Sequence, residues 1–176
     1  VTIFIYIQKS ESMKKFTYSI VFALLASFIL ANSAFAQITQ RGTATSATST
    51  NTTLTINKPT GVVAGDVMIV NIVKSNNGTD EPSLSGWSLV AGGIINGGAI
   101  RGSILYKVAT GSEPTSYAFS LGTGTNDAVG SIVAFSGVDV SGPTPFDVVG
   151  TMGLSTTAGN TATAPGITTA LPNSAV

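Results

Sequence analysis

The sequence predicts an all-β fold, a two-sheet antiparallel β-sandwich of jelly-roll-like type, over residues 54–176. Short apolar segments are separated almost everywhere by Gly, Pro, Asn or Asp, and no helical periodicity of apolar side chains runs between them. Charged residues make up only 9% of the chain, whereas helical surfaces are normally built from Glu, Lys, Arg and Gln. The many Thr and Val residues suit a pleated strand, because branching at Cβ is accommodated there.

The predicted strands follow the apolar segments along the chain. Leu54 and Ile56 share one face of the first segment, and Thr53 and Thr55 share the other. The almost unbroken apolar run 67–73 predicts a central strand that is covered on both faces. The remaining predicted strands are 87–90, 104–108, 117–121, 129–135, 146–149 and 162–168.

Residues 13–36 have the features of a secretory signal peptide. The positive segment Lys14-Lys15 precedes an apolar stretch at residues 20–30. A transmembrane helix is the alternative, but spanning a bilayer takes about 20 apolar residues and this stretch is shorter. The sequence therefore predicts a secreted protein, located outside the cell or on its surface.

A small-x-small triplet marks the predicted cleavage site. It runs from Ala34 to Ala36 and predicts that the processed chain begins at Gln37. The sequence contains no cysteine for lipid attachment, so no membrane insertion is expected after cleavage. Residues 1–12 are interpreted as an upstream extension, with an unusually long export signal as the alternative. Residues 37–53 are interpreted as a Thr/Ser-rich lead-in to the sandwich.

The last residues of the sequence resemble the beginning of a further strand. The turn signal Pro172-Asn-Ser174 is followed by two apolar residues. A sandwich that stops at this point lacks its last strand. Residues 54–176 are therefore expected to be a module of a longer polypeptide.

The composition argues against several classes of function. Residues 37–176 carry five cationic and seven acidic side chains, a net charge of −2, and no basic cluster. A nucleic-acid-binding surface needs a cationic stripe to neutralise phosphates, so no nucleic-acid partner is expected. The chain has no histidine, which removes the commonest general base and the commonest metal ligand.

The sequence carries no recognisable catalytic motif. A serine hydrolase usually needs a histidine base and a G-x-S-x-G turn, and neither is present. A glycosidase needs two carboxylates across a cleft, and the combination to consider is Asp80 or Glu81 with Asp139 or Asp147. These acids lie in turns, where carboxylates mostly contact solvent or their own backbone. The prediction is that the module is not an enzyme.

The loop that contains Asn76, Asn77, Asp80 and Glu81 is the candidate metal site. It concentrates oxygen donors, the ligands that Ca²⁺ prefers, although it does not match the EF-hand pattern. A polar surface turn explains the same residues. Calcium is the one cofactor considered, and otherwise none is expected.

Trp87, the single tryptophan, has two interpretations. An exposed indole could provide a platform on which a sugar ring stacks, which makes Trp87 the candidate ligand-binding residue. A lone Trp beside a strand more often fills the core, because its large apolar area stabilises most there. The other strand aromatics are expected in the core as well: Tyr106, Tyr117, Phe119 and Phe135.

The order of four motifs resembles that of poorly characterised β-sandwich modules in large secreted bacterial surface and adhesin-like proteins. Such proteins often carry a C-terminal sorting domain. The resemblance covers about residues 54–176 and implies a surface location, with a surface glycan or other domains of the same polypeptide as partners. Its motifs are structural and transfer no catalytic residue. They are AGDVMIV at 64–70, SGWSLV at 85–90, LYKVA at 105–109 and IVAFSGVD at 132–139.

Three functional hypotheses remain. The leading one is a non-catalytic extracellular structural or adhesion module of a larger protein. The alternative is a carbohydrate-binding module attached to a downstream enzyme, and the third is a glycoside-cleaving domain. An exposed Trp87 distinguishes the second, and a facing pair of carboxylates distinguishes the third.

Overall fold

The computed structural model describes residues 15–16, 18, 37–75, 80–95, 100–123, 127–150 and 165–170, with the backbone alone for 93–95. The chain divides into two compact units, Val1–Ala36 and Gln37–Val176. In the first unit, Lys15, Phe16 and Tyr18 have helical backbone conformation. Ala34 and Ala36 lie outside the described residues, and Gln37 is exposed. Within the described part of the chain, no helix has the length and apolarity needed to cross a bilayer.

The second unit confirms the predicted all-β class, because two antiparallel sheets build it. The larger sheet has the order β1-β8-β4-β6-β5, and β2 pairs with β8 as well. The smaller sheet consists of β3 and β7. The strands are β1 (Thr39–Gln40), β2 (Thr45–Ser49), β3 (Thr53–Asn57), β4 (Val67–Ser75), β5 (Ser88–Ile95), β6 (Ile100–Val108), β7 (Ser116–Ser120) and β8 (Ala128–Ser136).

Strand β4 is the central strand of the larger sheet, as its apolar run predicts. It pairs with β6 on one side and with β8 on the other, so that Ile69 lies opposite both Tyr106 and Val133. The side chains that alternate with Ile69 point into the sandwich, and Val70 and Ile72 are fully buried there. Ile69 itself is only half-buried on the outer face of the sheet.

The smaller sheet covers the inner face of the larger one. Leu54 and Ile56 of β3 are fully buried, and the threonines between them are exposed, which confirms the predicted alternation. Tyr117 and Phe119 occupy the matching inward positions on β7, opposite Ile56 and Leu54. Both are in the core as predicted.

The segment 37–53, interpreted from the sequence as a lead-in, contributes two strands to the larger sheet. Strands β1 and β2 lie in succession along the same edge of β8. Gly42 separates them with a φ of +64°, and a Cβ at this position would lie 2.2 Å from the carbonyl oxygen of Thr60. A side chain therefore has no room here, and the backbone conformation favours glycine.

Two predicted strands differ in the structure. Residues 146–149 are not a strand, because Phe146 packs its ring edge-to-face on Tyr106, with centroids 5.0 Å apart. Of the predicted strand 162–168, residues 165–168 have no strand conformation and 162–164 lie outside the described residues.

Tyr106 and Phe135 are half-buried on the outer face of the larger sheet, so their assignment to the core was wrong.

Gly130 marks a close approach between the two sheets. A Cβ at this inward position on β8 would lie 2.9 Å from Ile56 Cδ1, 2.9 Å from Leu54 Cδ2 and 3.1 Å from the carbonyl oxygen of Asn71. The absence of a side chain at Gly130 therefore lets β3 pack directly on the backbone of β8.

We predict that Gly130→Val lowers the free energy of unfolding by about 1–3 kcal/mol, because the added methyl groups overpack this contact. Gly111→Val is the matched control, since a Cβ at Gly111 meets no atom within 4 Å. Urea denaturation of the two variants measures the difference. Equal stability of both would contradict the close approach.

Candidate functional site

A cluster of charged and polar side chains is buried inside one end of the sandwich. Lys74 continues the inward row of β4 and is 2% exposed, and its register partner on β6 is Arg101. Arg101 is 7% exposed, and Ser103, the next inward residue of β6, is fully buried. Together with Glu81 these residues form what we call the charged cluster.

Glu81 supplies the negative charge of the charged cluster. Its carboxylate forms an ion pair with Arg101 and accepts a hydrogen bond from Arg101 Nη1. It accepts a second hydrogen bond, of 2.5 Å, from Ser103 Oγ. A Cβ at Gly92 of β5 would lie 2.8 Å from Glu81 Oε2, so the carboxylate packs directly on the edge strand. Both carboxylate oxygens are therefore bound by groups of β6.

Lys74 is held by a backbone group rather than by an acid. Its ammonium donates a hydrogen bond of 2.5 Å to the carbonyl oxygen of Leu121, which directly follows β7. Burial lowers the pKa of Lys74 and outweighs the opposing influence of the Asp80 and Glu81 charges. This lysine therefore ties β4 to the loop between β7 and β8.

Of the four residues of the predicted calcium site, the structure describes Asp80 and Glu81, whose side chains have different partners. Glu81 turns inward to Arg101, whereas Asp80 is exposed and accepts a 3.3 Å hydrogen bond from the backbone N–H of Thr123. Asn76 and Asn77 lie outside the described residues. No group of three or more potential metal-binding side chains occurs in the part of the chain that the structure describes. Calcium binding stays a prediction, and a cation near Glu81 would compete with Arg101.

Lys74 and Arg101 were not recognised from the sequence as members of a site. The signal for Lys74 was present, because it follows Met68, Val70 and Ile72 at every second position and must therefore point inward. Nothing in the sequence comparably signals Arg101. Its partner Glu81 is 20 positions away in the chain, and only the pairing of β4 with β6 brings Arg101 beside Lys74.

Trp87 lies in the core, at 9% exposure. Its ring makes edge-to-face contacts with Tyr117, at 5.0 Å between centroids, and with Phe119, at 5.1 Å. The indole Nε1 is buried and has no hydrogen-bond partner among the described residues. A platform for a sugar ring needs an exposed indole face, whereas Trp87 is buried.

A cleft of about 240 Å³ lies beside Trp87, and Lys107 and Glu113 contribute to its lining. Glu113 accepts hydrogen bonds from the Thr110 backbone N–H, at 2.6 Å, and from the Tyr117 hydroxyl, at 2.8 Å. The Lys107 ammonium lies 3.4 Å from the Glu113 carboxylate. Burial opposes ionisation of Glu113, but these partners together hold its pKa below the usual range. An acid in this state is ionised at neutral pH and has no proton to give.

A third ion pair joins Arg41, between β1 and β2, to Asp66, which directly precedes β4. Arg41 Nε donates to Asp66 Oδ2 at 2.9 Å, and the backbone N–H of Val63 donates to the same oxygen at 2.9 Å. Burial of the Asp66 carboxyl raises its pKa, but the arginine and the amide outweigh this and the net pKa is lowered. The pair holds β1 and β2 against the loop before β4.

The carboxylate pairs that a glycosidase would need are not brought together. Asp80 follows the Ser75 end of β4, whereas Asp139 follows the end of β8 that pairs near Val67. These ends are separated by the length of β4, roughly 26 Å at 3.3 Å per residue. Asp147 adjoins Phe146, whose ring packs on Tyr106 towards the same end as Asp139. Glycosidase carboxylates lie about 5–10 Å apart.

The exposed acids hydrogen-bond nearby backbone. Asp139 accepts from the Ser141 N–H at 2.9 Å, which lowers its pKa, and Asp147 accepts from the Ala170 N–H at 2.7 Å. Comparisons with protein-family models, with curated proteins and with solved structures found no match to this chain.

We predict that Glu81→Ala lowers the free energy of unfolding by about 2–3 kcal/mol, because it leaves Arg101 buried without its counter-charge. Arg101→Met in the same background should recover most of this loss, since methionine fills apolar space and needs no partner. Chemical denaturation of the four proteins of this cycle measures the coupling. Asp80→Ala is the control for the neighbouring, exposed acid. Simple additivity of Glu81→Ala and Arg101→Met would show that the two side chains do not depend on each other.

We predict that Asp66→Ala costs about 1–2 kcal/mol of stability at pH 7, because its arginine partner is partly exposed. The folded pKa of Asp66 lies below its unfolded value of about 3.9. The cost should therefore be constant above that value and disappear as the pH falls through the folded pKa. Thermal unfolding across pH measures it, with Asp139→Ala as the exposed control. A cost that persists below both pKa values would exclude the ion pair as its cause.

Proposed function

We propose that the chain is an exported, non-catalytic structural or adhesion module of a larger surface protein. Export rests on the signal-peptide pattern of residues 13–36, with cleavage before Gln37. The proposed surface location follows from that pattern and from the resemblance of the four sequence motifs to modules of secreted surface proteins.

One observation carries the non-catalytic part of this proposal: the carboxylates that lie inside the fold already have partners. Asp66 is paired with Arg41, Glu81 with Arg101 and Glu113 with Lys107. Two of these pairs, Arg41 with Asp66 and Glu81 with Arg101, join residues 25 and 20 positions apart and so hold separate parts of the fold together. A general acid or base needs a carboxyl that is able to exchange its proton with a substrate.

The position of Trp87 supports adhesion over carbohydrate binding. A stacking platform requires an indole face open to solvent, and both Tyr117 and Phe119 contact this ring. A module of this kind acts through its surface and its connection to neighbouring domains. The other domains of the same polypeptide are accordingly its first expected partners, with a surface glycan as the second.

The test uses the full chain, expressed in a bacterium and recovered from outside the cytoplasm. We expect this material to begin at Gln37, to cleave no glycoside in a substrate panel, and to leave the Trp87 fluorescence unchanged across a glycan panel. The Asp80→Asn variant is the control for catalysis, because Asp80 is exposed.

Each other outcome identifies a different function. Glycoside cleavage that disappears in the Asp80→Asn variant would make the protein an enzyme. A saturable fluorescence shift with one glycan would favour carbohydrate binding. Retention of the chain inside the cell with residues 13–36 intact would contradict export.

A further inference from the structure

We propose that the free edge of β5 is an interaction surface, and that its partner is β5 of a second copy of this chain. The two strands would pair antiparallel across a two-fold axis and join the two larger sheets into one. The pairing uses backbone groups of β5 and does not depend on export or on any ligand of the module.

Strand β5 is an edge strand with eight residues, Ser88–Ile95. It pairs with β6 along one side, and no described strand lies along the other. The unpaired N–H and C=O groups of such an edge can accept another strand.

Two other edge strands, β2 and β7, make local contacts on their outer sides. On the β2 side, Thr45 Oγ1 donates to the carbonyl oxygen of Asn57 at 2.5 Å, and Ser49 Oγ donates to that of Thr53 at 2.7 Å. These bonds join the larger sheet to β3. On the outer edge of β7, Ser83 exchanges two backbone hydrogen bonds with Ser120, the last residue of that strand. Among the described strands, β5, with eight residues, is therefore the longest edge that has no strand on its outer side.

Strand β5 lacks most of the features that keep edge strands apart. Its sequence, SLVAGGII, contains no charged residue and no proline. Its one protective feature is a register irregularity between Leu89 and Ala91. The acid Glu81 packs against Gly92, but its charge is neutralised by Arg101. It therefore does not repel another strand from this edge.

Leu89 gives this edge an apolar component. Its register partner is the buried Leu105, so the two side chains lie on the same face of the sheet, yet Leu89 is 49% exposed. A strand added at this edge would cover Leu89. Burial of apolar area would then add to the backbone hydrogen bonds.

Self-pairing fits this edge because it is neutral along its whole length. In an isologous interface, the same surface faces itself, and any charge on it meets a like charge. Strand β5 presents none, and the net charge of −2 over residues 37–176 adds little repulsion between copies. A foreign strand would find no charged side chain on β5 by which to be selected.

The test compares two lysine variants of the full chain. Leu89→Lys places a charge on the proposed interface. Val129→Lys is the matched control, because Val129 is 48% exposed but lies on β8, away from β5 in the sheet. Light scattering over a concentration series gives the oligomeric state. Hydrogen exchange gives the protection of those amides in 88–95 that point away from β6.

We expect the unmodified chain and Val129→Lys to form a dimer as the concentration rises, with increasing protection of the amides in 88–95 that point away from β6. Leu89→Lys should remain monomeric over the same range. Circular dichroism checks that each variant is folded, and Ser88→Lys replaces Leu89→Lys if that variant unfolds, since Ser88 is an exposed residue of the same strand.

Three results would overturn the proposal. The unmodified chain could be monomeric throughout with rapid exchange of those outward-pointing amides, which would mean that the edge stays open. It could be monomeric with those amides protected, which would mean that a segment of its own chain covers the edge. A dimer lost in Val129→Lys but kept in Leu89→Lys would place the interface on the outer face of the sheet.

Discussion

The pairing of β4 with β6 on one side and β8 on the other organises this protein. Nine consecutive residues of β4 have a partner on β6, and eight have a partner on β8. A strand held on both sides cannot change its register without breaking both ladders. The inward direction of every second side chain is therefore determined, including that of the last one, Lys74. The apolar core and the buried ammonium are two consequences of the same constraint.

Placing cations inside a sandwich requires partners that the strands themselves do not supply. The backbone carbonyl groups of β4 and β6 already accept hydrogen bonds from neighbouring strands. The acceptors for the buried cations must therefore come from the connecting segments. Glu81, in the segment before β5, neutralises Arg101, and the Leu121 carbonyl after β7 accepts from Lys74. The charged cluster thus orders the connections at its end of the sandwich. A buried cation without such acceptors would cost several kcal/mol.

The sequence was sufficient for the fold class and for the strands with large apolar side chains. Alternation located Leu54 and Ile56, and the continuous run at 67–73 located the central strand. Strands β1 and β2 were missed because Thr, Ser and Ala give no apolar contrast between the two faces of a strand. The prediction of a strand at 146–149 was wrong, because the apolar ring of Phe146 packs on Tyr106 outside any strand. The candidate site was only partly accessible, since Glu81 was recognised as an oxygen donor whereas its cationic partner depends on strand pairing.

The position of β8 also determines the order in which the molecule can be completed. Strands β1 and β2 pair with β8, and the side chains of Thr39 and Ser136, 97 positions apart, are hydrogen-bonded at 2.8 Å. A chain that is synthesised from its amino terminus exposes β1, β2 and one side of β4 until residue 136 has emerged from the ribosome. Non-local pairing of this kind slows folding, because the loop must close before its contacts stabilise anything. Strands β1 and β2 stay unpaired until β8 has been synthesised. Because their apolar content is low, they have little tendency to aggregate during this time.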